Sequence, residues 1–463
     1  MKKALAVLVM TAGICLPVEI FAQASSALYF MEISTQRQAY NPAFIAPYEK
    51  SFTVPLVGGF NGRVDNNFLS WNAFITRDGR DSLHIDLPRL LGRAGNNARI
   101  MAEANAEIFR YSWRRGRDNF QVGLNVHADI QLILKKETLT FLLQGPGAHI
   151  GDNMLSGNRI DFNSYAALYF GYARQVSKHL TVGGRFKVLQ GLWNLHTNNL
   201  SIAFDIQNSD MSNPDVVPYR YELGIGGRLL SNLPLDITNR KLGSLSFPLL
   251  SMGAAVDLGV SYDFGNWNLS ASIRDLGFLA WGDDHAAQYR SYRGIDDCHF
   301  SGLRSDEFQS KDFEFGTYMI NTLTGLLDTL NFTQDTVKNS YARALPARFN
   351  VSLSYTLQDI HVFGVIFDGM FYNKYFAPEL TVSYTCMPGR NFGVCVSNTF
   401  TSGNVLGLGL AFVVNAGPLQ IHLGLDRLNS FNVAGMRTAN VNFGLNLVLG
   451  KSRYDWFTGK SME

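Results

Sequence analysis

Charge is scarce in this sequence. Asp, Glu, Lys and Arg make up 17% of its 463 residues, where a soluble domain usually carries about 25%. The 40 basic and 38 acidic residues nearly cancel, leaving a net charge of +2. No basic excess marks a nucleic-acid surface, so none is expected as a partner. Disorder is excluded too, because 13% aromatic and 46% hydrophobic residues are far more than an unfolded polar chain carries. Uninterrupted apolar runs of the roughly 20 residues that a membrane helix needs are missing, which excludes a polytopic helical membrane protein. Of four cysteines, Cys15 falls in the N-terminal leader described next; Cys298, Cys386 and Cys395 are an odd remainder. No disulfide framework follows.

Lys2 and Lys3 precede an apolar run from Ala4 to Leu16, and Ala22-Gln23-Ala24 places small residues at a cleavage site. Residues 1–24 are therefore expected to be a secretory signal. Ile14 before Cys15 is too large for lipoprotein processing.

What the rest of the chain has in abundance is alternation with a period of two. From Phe120 to Gln131 the even positions are Phe120, Val122, Leu124, Val126, Ala128 and Ile130, and the odd ones carry amide and charged groups. Side chains alternate across a strand, so one face is apolar and the other polar. The same split recurs at 100–108, 267–273, 419–426 and 439–447. A soluble sandwich turns such an apolar face inward; a membrane barrel turns it to lipid. Runs of about ten residues suit a tilted membrane crossing, whereas soluble strands peak at five to six. Between Arg390 and Asp426, 35 residues carry no Asp, Glu, Lys or Arg. Leu406, Leu408, Leu410 and Phe412 still alternate there, and Asn415–Pro418 breaks the run into two strands. The fold class is all-β: a transmembrane outer-membrane β-barrel of about 14 strands, with 16 as the alternative, over residues 49–450.

Expected strands fall near 52–62, 66–76, 99–111, 119–131, 162–174, 180–193, 253–264, 266–277, 346–357, 360–370, 377–386, 391–400, 404–414, 417–427 and 438–449. Weaker candidates lie at 200–206 and 219–228. Helical spacing marks 134–143 and Tyr318–Leu330. The 282–344 segment is the longest insertion, which on such barrels belongs on the outer side. Residues 451–463 form a polar tail. Residues 25–48 are apolar at Leu28–Met31 and Ile33 without alternating, and Pro42 holds Asn41 extended; this segment is expected to fold back as a plug.

Several short motifs now carry a resemblance. Asn41-Pro42-Ala43, just before the first strand, resembles the N-terminal pattern of the long-chain fatty-acid transporter superfamily, which includes the shuttle barrel of the type IX secretion system. Arg185-Phe186-Lys187, Ile273–Phe278, Gly407–Leu410, Gly417-Pro418-Leu419-Gln420 and Asn442–Leu447 together resemble a Bacteroidota outer-membrane barrel family of unestablished function. The resemblance implies a barrel of about 14 strands with an N-terminal plug in its lumen. One departure is that the last strand ends at Leu449-Gly450 rather than on a terminal aromatic residue.

The charged residues on the polar parity are the candidates for function inside the barrel: Glu103, Glu107, His127, Asp129, Arg185, Lys187, Asp257, Arg274 and Asp426. Mixed signs on many strands suit a self-neutralising interior, since buried charges must be paired; a polar path or solute site is the functional alternative. No Gly-x-Ser-x-Gly, His-Glu-x-x-His, phosphate loop or Cys-x-x-Cys occurs, so no enzyme and no cofactor is expected. Asp283-Asp284-His285 and Asp296-Asp297-Cys298-His299 hold metal-ligand types, but as an acidic outer loop they define no metal site. Cys386 and Cys395 fall on opposite parities and are not expected to pair. Two functions remain. The first is passage of a small hydrophobic ligand through a plugged barrel embedded in outer-membrane lipid. The alternative is a non-transporting scaffold that binds a secreted or surface protein partner.

Overall fold

The computed structural model describes residues 26–55, 57–70, 75–77, 83–144, 153–208, 219–231, 235–236, 241–242, 251–282, 340–372, 375–401, 406–428 and 435–451. A short helix α1 (Ser26–Tyr29) and a 3-10 turn (Thr35–Ala39) precede the strands. The first half of the wall comprises β1 (Tyr48–Thr53), β2 (Phe60–Asn66), β5 (Asn97–Arg115), β6 (Asp118–Lys135), β7 (Asn153–Gln175), β8 (Leu180–Asn208), β9 (Tyr219–Ser231) and β12 (Met252–Phe264). The second comprises β13 (Trp267–Trp281), β14 (Tyr341–Ala344), β15 (Ala347–Leu357), β16 (His361–Tyr372), β17 (Tyr375–Cys386), β18 (Phe392–Thr401), β19 (Leu408–Ala416), β20 (Leu419–Leu428) and β21 (Thr438–Lys451). Two small ribbons, β3 (Ile75–Arg77) with β4 (Leu83–Ile85) and β10 (Leu235–Asp236) with β11 (Lys241–Leu242), stand apart from it.

All pairings in the wall are antiparallel, and the sheet closes on itself because β1 and β2 both bridge β21 and β5. Three pairs share one position each: β1 with β2, β9 with β12, and β14 with β15. The result is a closed barrel of 14 strands. Within the break between β1 and β2, Val54 N donates to Leu445 O at 3.1 Å and Leu445 N to Val57 O at 3.0 Å, so the first strand stays stitched to the last.

The faces are inverted relative to a water-soluble protein. Phe170, Phe186, Phe363 and Val396 are about half exposed, whereas Gln121, Asp129, Asp257 and Asn440 are buried. An apolar exterior around a polar interior is stable only with lipid outside. Aromatic side chains circle the short-turn end: Tyr111, Trp113, Phe120 and Tyr172 follow one another at 5.3, 5.3 and 5.2 Å between ring centroids, and Tyr262, Phe264, Trp267 and Tyr355 continue the girdle. Such rings sit at the membrane–water boundary. Tight hairpins close this end, with left-handed φ at Gly116 (60°) and Gly265 (64°).

Several strands outrun their expected lengths, β8 reaching 29 residues against the expected 180–193. The weaker expected strand at 200–206 is the outer part of this same strand. Of the expected strand 66–76, Asn66 ends β2, residues 67–70 turn out of the wall and Ile75 and Thr76 belong to the small ribbon. Asn66 Oδ1 accepts the backbone N–H groups of Phe68 (3.2 Å) and Leu69 (2.6 Å), turning the chain. It then leads through the small ribbon to α2 (Leu87–Ala94), capped by Asp86. Leu90, Leu91 and Ala94 of α2 pack with Phe68 and with Leu139 and Leu143 of α3 (Lys136–Gln144). The helix expected at 134–143 thus starts two residues later, because Leu134 and Lys135 still pair with β5. The leader 1–24, the Tyr318–Leu330 helix, the 283–299 acidic cluster and the end of the polar tail lie outside the described residues.

Candidate functional site

The N-terminal segment lies inside the barrel. Ala27, Leu28, Tyr29, Phe30, Met31 and Ile33 are all under a tenth exposed. They form one cluster with Tyr40, Phe44 and the strand residues Val362, Ile366, Cys395, Ala411 and Val413. Those strand positions alternate with Phe363, Val365, Leu410 and Val414 on the exterior, so β16, β18 and β19 are apolar on both faces where the segment packs, and polar in the lumen only further along, at Ser397 and Thr399 for example. The charge-free stretch in the sequence has this cause.

Polar groups fix the path of the segment. Thr35 N and Oγ1 both donate to Gln420 Oε1 at 2.9 Å, and Gln420 Nε2 donates to Ile33 O at 2.8 Å. Tyr29 Oη lies 2.9 Å from Ser270 Oγ, and Ser272 Oγ donates to Tyr40 O at 2.8 Å. Burial pushes the Tyr29 and Tyr40 hydroxyls above their ordinary value, so both stay protonated. Asn41 is fully buried, and its Nδ2 donates to Val260 O and Ala271 O at 3.2 Å each. Its Oδ1 accepts the Ala43 N–H at 2.9 Å, which sets the turn through Pro42. The wall opposite is glycine: a Cβ at Gly259 would overlap Asn41 Oδ1, and one at Gly364 would lie 2.6 Å from the Phe30 ring.

The nine charged candidates all point inward, in several groups. Lys187 Nζ bridges Asp257 (2.8 Å) and Asp275 (2.7 Å), and Arg185 lies 3.6 Å from Asp257. Arg185 also donates to Gln38 O, and Arg274 donates to Ala39 O at 3.2 Å. Two cations of the wall therefore hold carbonyls of the N-terminal segment. Glu103 Oε1 takes Arg348 at 2.7 Å. His127 Nε2 lies 3.5 Å from Asp129, whose other oxygen accepts Asn163 Nδ2 at 3.0 Å. Glu107 accepts Tyr169 Oη and Thr53 Oγ1, both at 3.2 Å. Asp426 stands apart from these, accepting Ser397 Oγ at 3.2 Å and the Ala27 N–H at 3.4 Å. Glu103, Glu107, His127, Arg185, Lys187 and Arg274 converge on one cavity of about 100 Å³ beside Gln36 and Ala39.

Other lumenal charges escaped the alternation. A register shift between Glu107 and Phe109 turns Arg110 inward, 3.5 Å from Glu107. A second shift, between Val256 and Leu258, accompanies left-handed backbone at Asp275 (φ 58°), whose N–H donates to Asp257 Oδ1 at 2.8 Å. At Arg427 (φ 59°) the same conformation brings its guanidinium to Glu379, which also binds Arg63 at 2.9 Å. Bulges of this kind leave no mark in hydropathy; only the sudden change of parity after Ile108 hinted at one. Cys386 and Cys395 are both free, and Cys395 lies opposite Thr385 rather than Cys386.

A closed 14-strand barrel with a lipid-facing exterior and an internally packed N-terminal segment defines the class. The chain belongs to the family described as a family of unknown function, DUF5723, whose model matches residues 42–426. No curated protein matches it. Among solved structures it is similar to the Ralstonia pickettii toluene transporter TbuX, at 10% identity and a TM-score of 0.45 over 93% of this chain and 96% of that one. It is also similar to the Pseudomonas putida toluene transporter TodX, at 9% identity and a TM-score of 0.41 over 93% and 95% of the two chains. A Pseudomonas aeruginosa FadL homologue shows 10% identity and a TM-score of 0.40 over 92% and 98%.

Proposed function

We propose that the protein lies in the outer membrane and admits a small hydrophobic compound, with residues 25–48 as a displaceable plug. One observation carries this reading. A lumen that needed only to be filled could be lined throughout by ion pairs, yet the wall beneath the segment is apolar at Val362, Ile366, Cys395, Ala411 and Val413. Withdrawal of the segment uncovers a strip on which an apolar solute trades water for hydrocarbon. Each buried CH₂ of such a solute gains about 0.8 kcal/mol. Polar solutes gain nothing there, so the strip supplies selectivity as well as a path.

Deleting residues 25–44 while keeping the leader tests the plug. The truncated barrel, shown to be assembled by heat-modifiable gel migration, should conduct several-fold more in planar bilayers and take up an apolar dye faster. An assembled barrel that conducts no more than the intact one sinks the reading. Replacing Ile366 with Asn in the truncated barrel should then slow dye uptake while leaving ionic conductance in place.

A further inference from the structure

The helices α2 and α3 pack against the outside of the wall, not against its lumen. Glu103 and Asp129 face inward. The register between β5 and β6 is unbroken from there to the outer end, so Ala98 and Ile100 of β5 and Leu134 of β6 face outward. On these residues the helices rest. Ala98 joins Leu90, Leu91, Leu139 and Leu143 in one cluster, and Ile100 and Leu134 pack against it. The contact lies at the end of the barrel away from the tight hairpins. Leu134 stands 14 residues beyond Phe120 of the aromatic girdle on β6. At about 3.3 Å per residue and a tilt of about 40°, that is a height of about 35 Å. The apolar band of such a barrel is about 25 Å tall, so the helices lie about 10 Å beyond its outer edge, at the level of the lipid head groups.

At that level α2 presents cations. Leu87, Leu90, Leu91 and Ala94 recur at helical spacing and turn to the wall. Arg89 and Arg93, one turn apart, are left exposed on the other side. Neither has an ion-pair partner among the described residues, and the carboxylates of the region are placed otherwise. Asp86 caps α2, accepting the Arg89 N–H at 2.9 Å, and Asp65 meets Arg63 at 2.9 Å inside the barrel. Arg437, at the entry to β21, reaches the same corner and donates to Asn67 O at 3.3 Å. Partial burial and the charges of Arg89 and Arg437 lower the pKa of Arg93 below its ordinary value. Like charges gathered in this way repel one another, and an anion among them removes that cost. A guanidinium pairs with phosphate through two parallel hydrogen bonds, and the apolar exterior below, at Ala102 and Ile130, suits acyl chains. We propose that Arg89 and Arg93, with Arg437, form a binding site for the phosphate group of an acidic lipid in the outer leaflet. The site rests on the outer-membrane placement proposed above and is independent of the plug.

Native mass spectrometry of the intact protein in a non-ionic detergent tests the site, with dioleoyl phosphatidic acid as the probe. The parent should retain one phosphatidic acid molecule under conditions that strip dioleoyl phosphatidylcholine, whose own ammonium group screens its phosphate. Combining Arg89→Gln with Arg93→Gln should weaken retention about tenfold or more. Arg115→Gln, an exposed arginine at the short-turn end of β5, should leave it unchanged. Inorganic phosphate in about tenfold excess over the lipid should not displace it, because the free ion has no acyl chains to lay on the wall. Heat-modifiable migration reports whether each variant has assembled, and the choice between the two lipids on the parent needs no variant. Equal retention of both lipids by the parent, full retention in the assembled double variant, an equal loss in Arg115→Gln, or displacement by inorganic phosphate would each overturn the proposal. A chain that stays soluble without detergent would overturn the membrane placement first and this site with it.

Discussion

Along β16, β18 and β19 the lumenal positions packed on the N-terminal segment are Val362, Ile366, Cys395, Ala411 and Val413, whereas along β2, β5, β6 and β8 the lumen carries buried charges such as Arg63, Glu103, Asp129 and Arg185. The exterior of both halves is the same apolar surface. What differs is the neighbour inside. The apolar side, β16, β18 and β19, faces Leu28–Met31 and packs like the core of a soluble domain. The ionic side faces the backbone of Gln38 and Ala39 and the cavity, where charges are bridged across strands. Inside a barrel, then, polarity follows what the lumen contains, while outside it follows the lipid.

The comparison is sharpened most by breaking the ionic half. Lys187→Met leaves Asp257 and Asp275 without the ammonium that bridges them, and losing one member of a buried ionic group costs about 3–5 kcal/mol. The midpoint of urea unfolding in lipid vesicles should fall accordingly; an unchanged midpoint would show that the bridge contributes nothing to stability. Next comes the exterior. Leu410 faces outward, and Leu410→Arg should cost about 2–4 kcal/mol near the bilayer midplane. The same substitution at lumenal Asn442 should cost clearly less, and equal losses would contradict the assignment of faces.

Smaller effects belong to the seat of the N-terminal segment. Gly259→Ala puts a methyl against Asn41 Oδ1, an overpacking that costs about 1–3 kcal/mol. The strain should loosen the segment, so trypsin added to the short-turn side should cut at Arg37 faster than in the parent. The smallest change is expected in the apolar half, where Ile366→Val removes one buried methylene group and should cost about 0.5–1.5 kcal/mol. A larger loss there than for Lys187→Met would reverse the ranking of the two halves.

Much of this was legible beforehand. Period-two alternation at 120–131 and 439–447 told inside from outside, and the apolar, non-alternating run at Leu28–Met31 stood out as neither strand nor tail. The candidates Glu103, His127 and Asp129 were visible because register holds around them, and Glu107 because the shift on its strand comes only after it. Arg110, Asp275 and Arg427 were not, because each follows or sits in a bulge that rotates the chain by one residue. The strand expected at 66–76 failed for a local reason: Asn66 turns the backbone with its own side chain.

By itself the sequence determined which face of each strand meets lipid, since that depends only on successive residues pointing in opposite directions. Tertiary structure decided the rest. Closure at 14 strands with the first one broken into β1 and β2 is a property of pairing between segments almost 400 residues apart. Which polar residues share a cavity depends on register across strands, as the pairing from Asn442 through Asn61, Asn105 and His127 to Tyr165 shows. The division of the lumen into an apolar and an ionic half exists only because the N-terminal segment is folded into it, and hydropathy along a strand carries no information about what lies opposite.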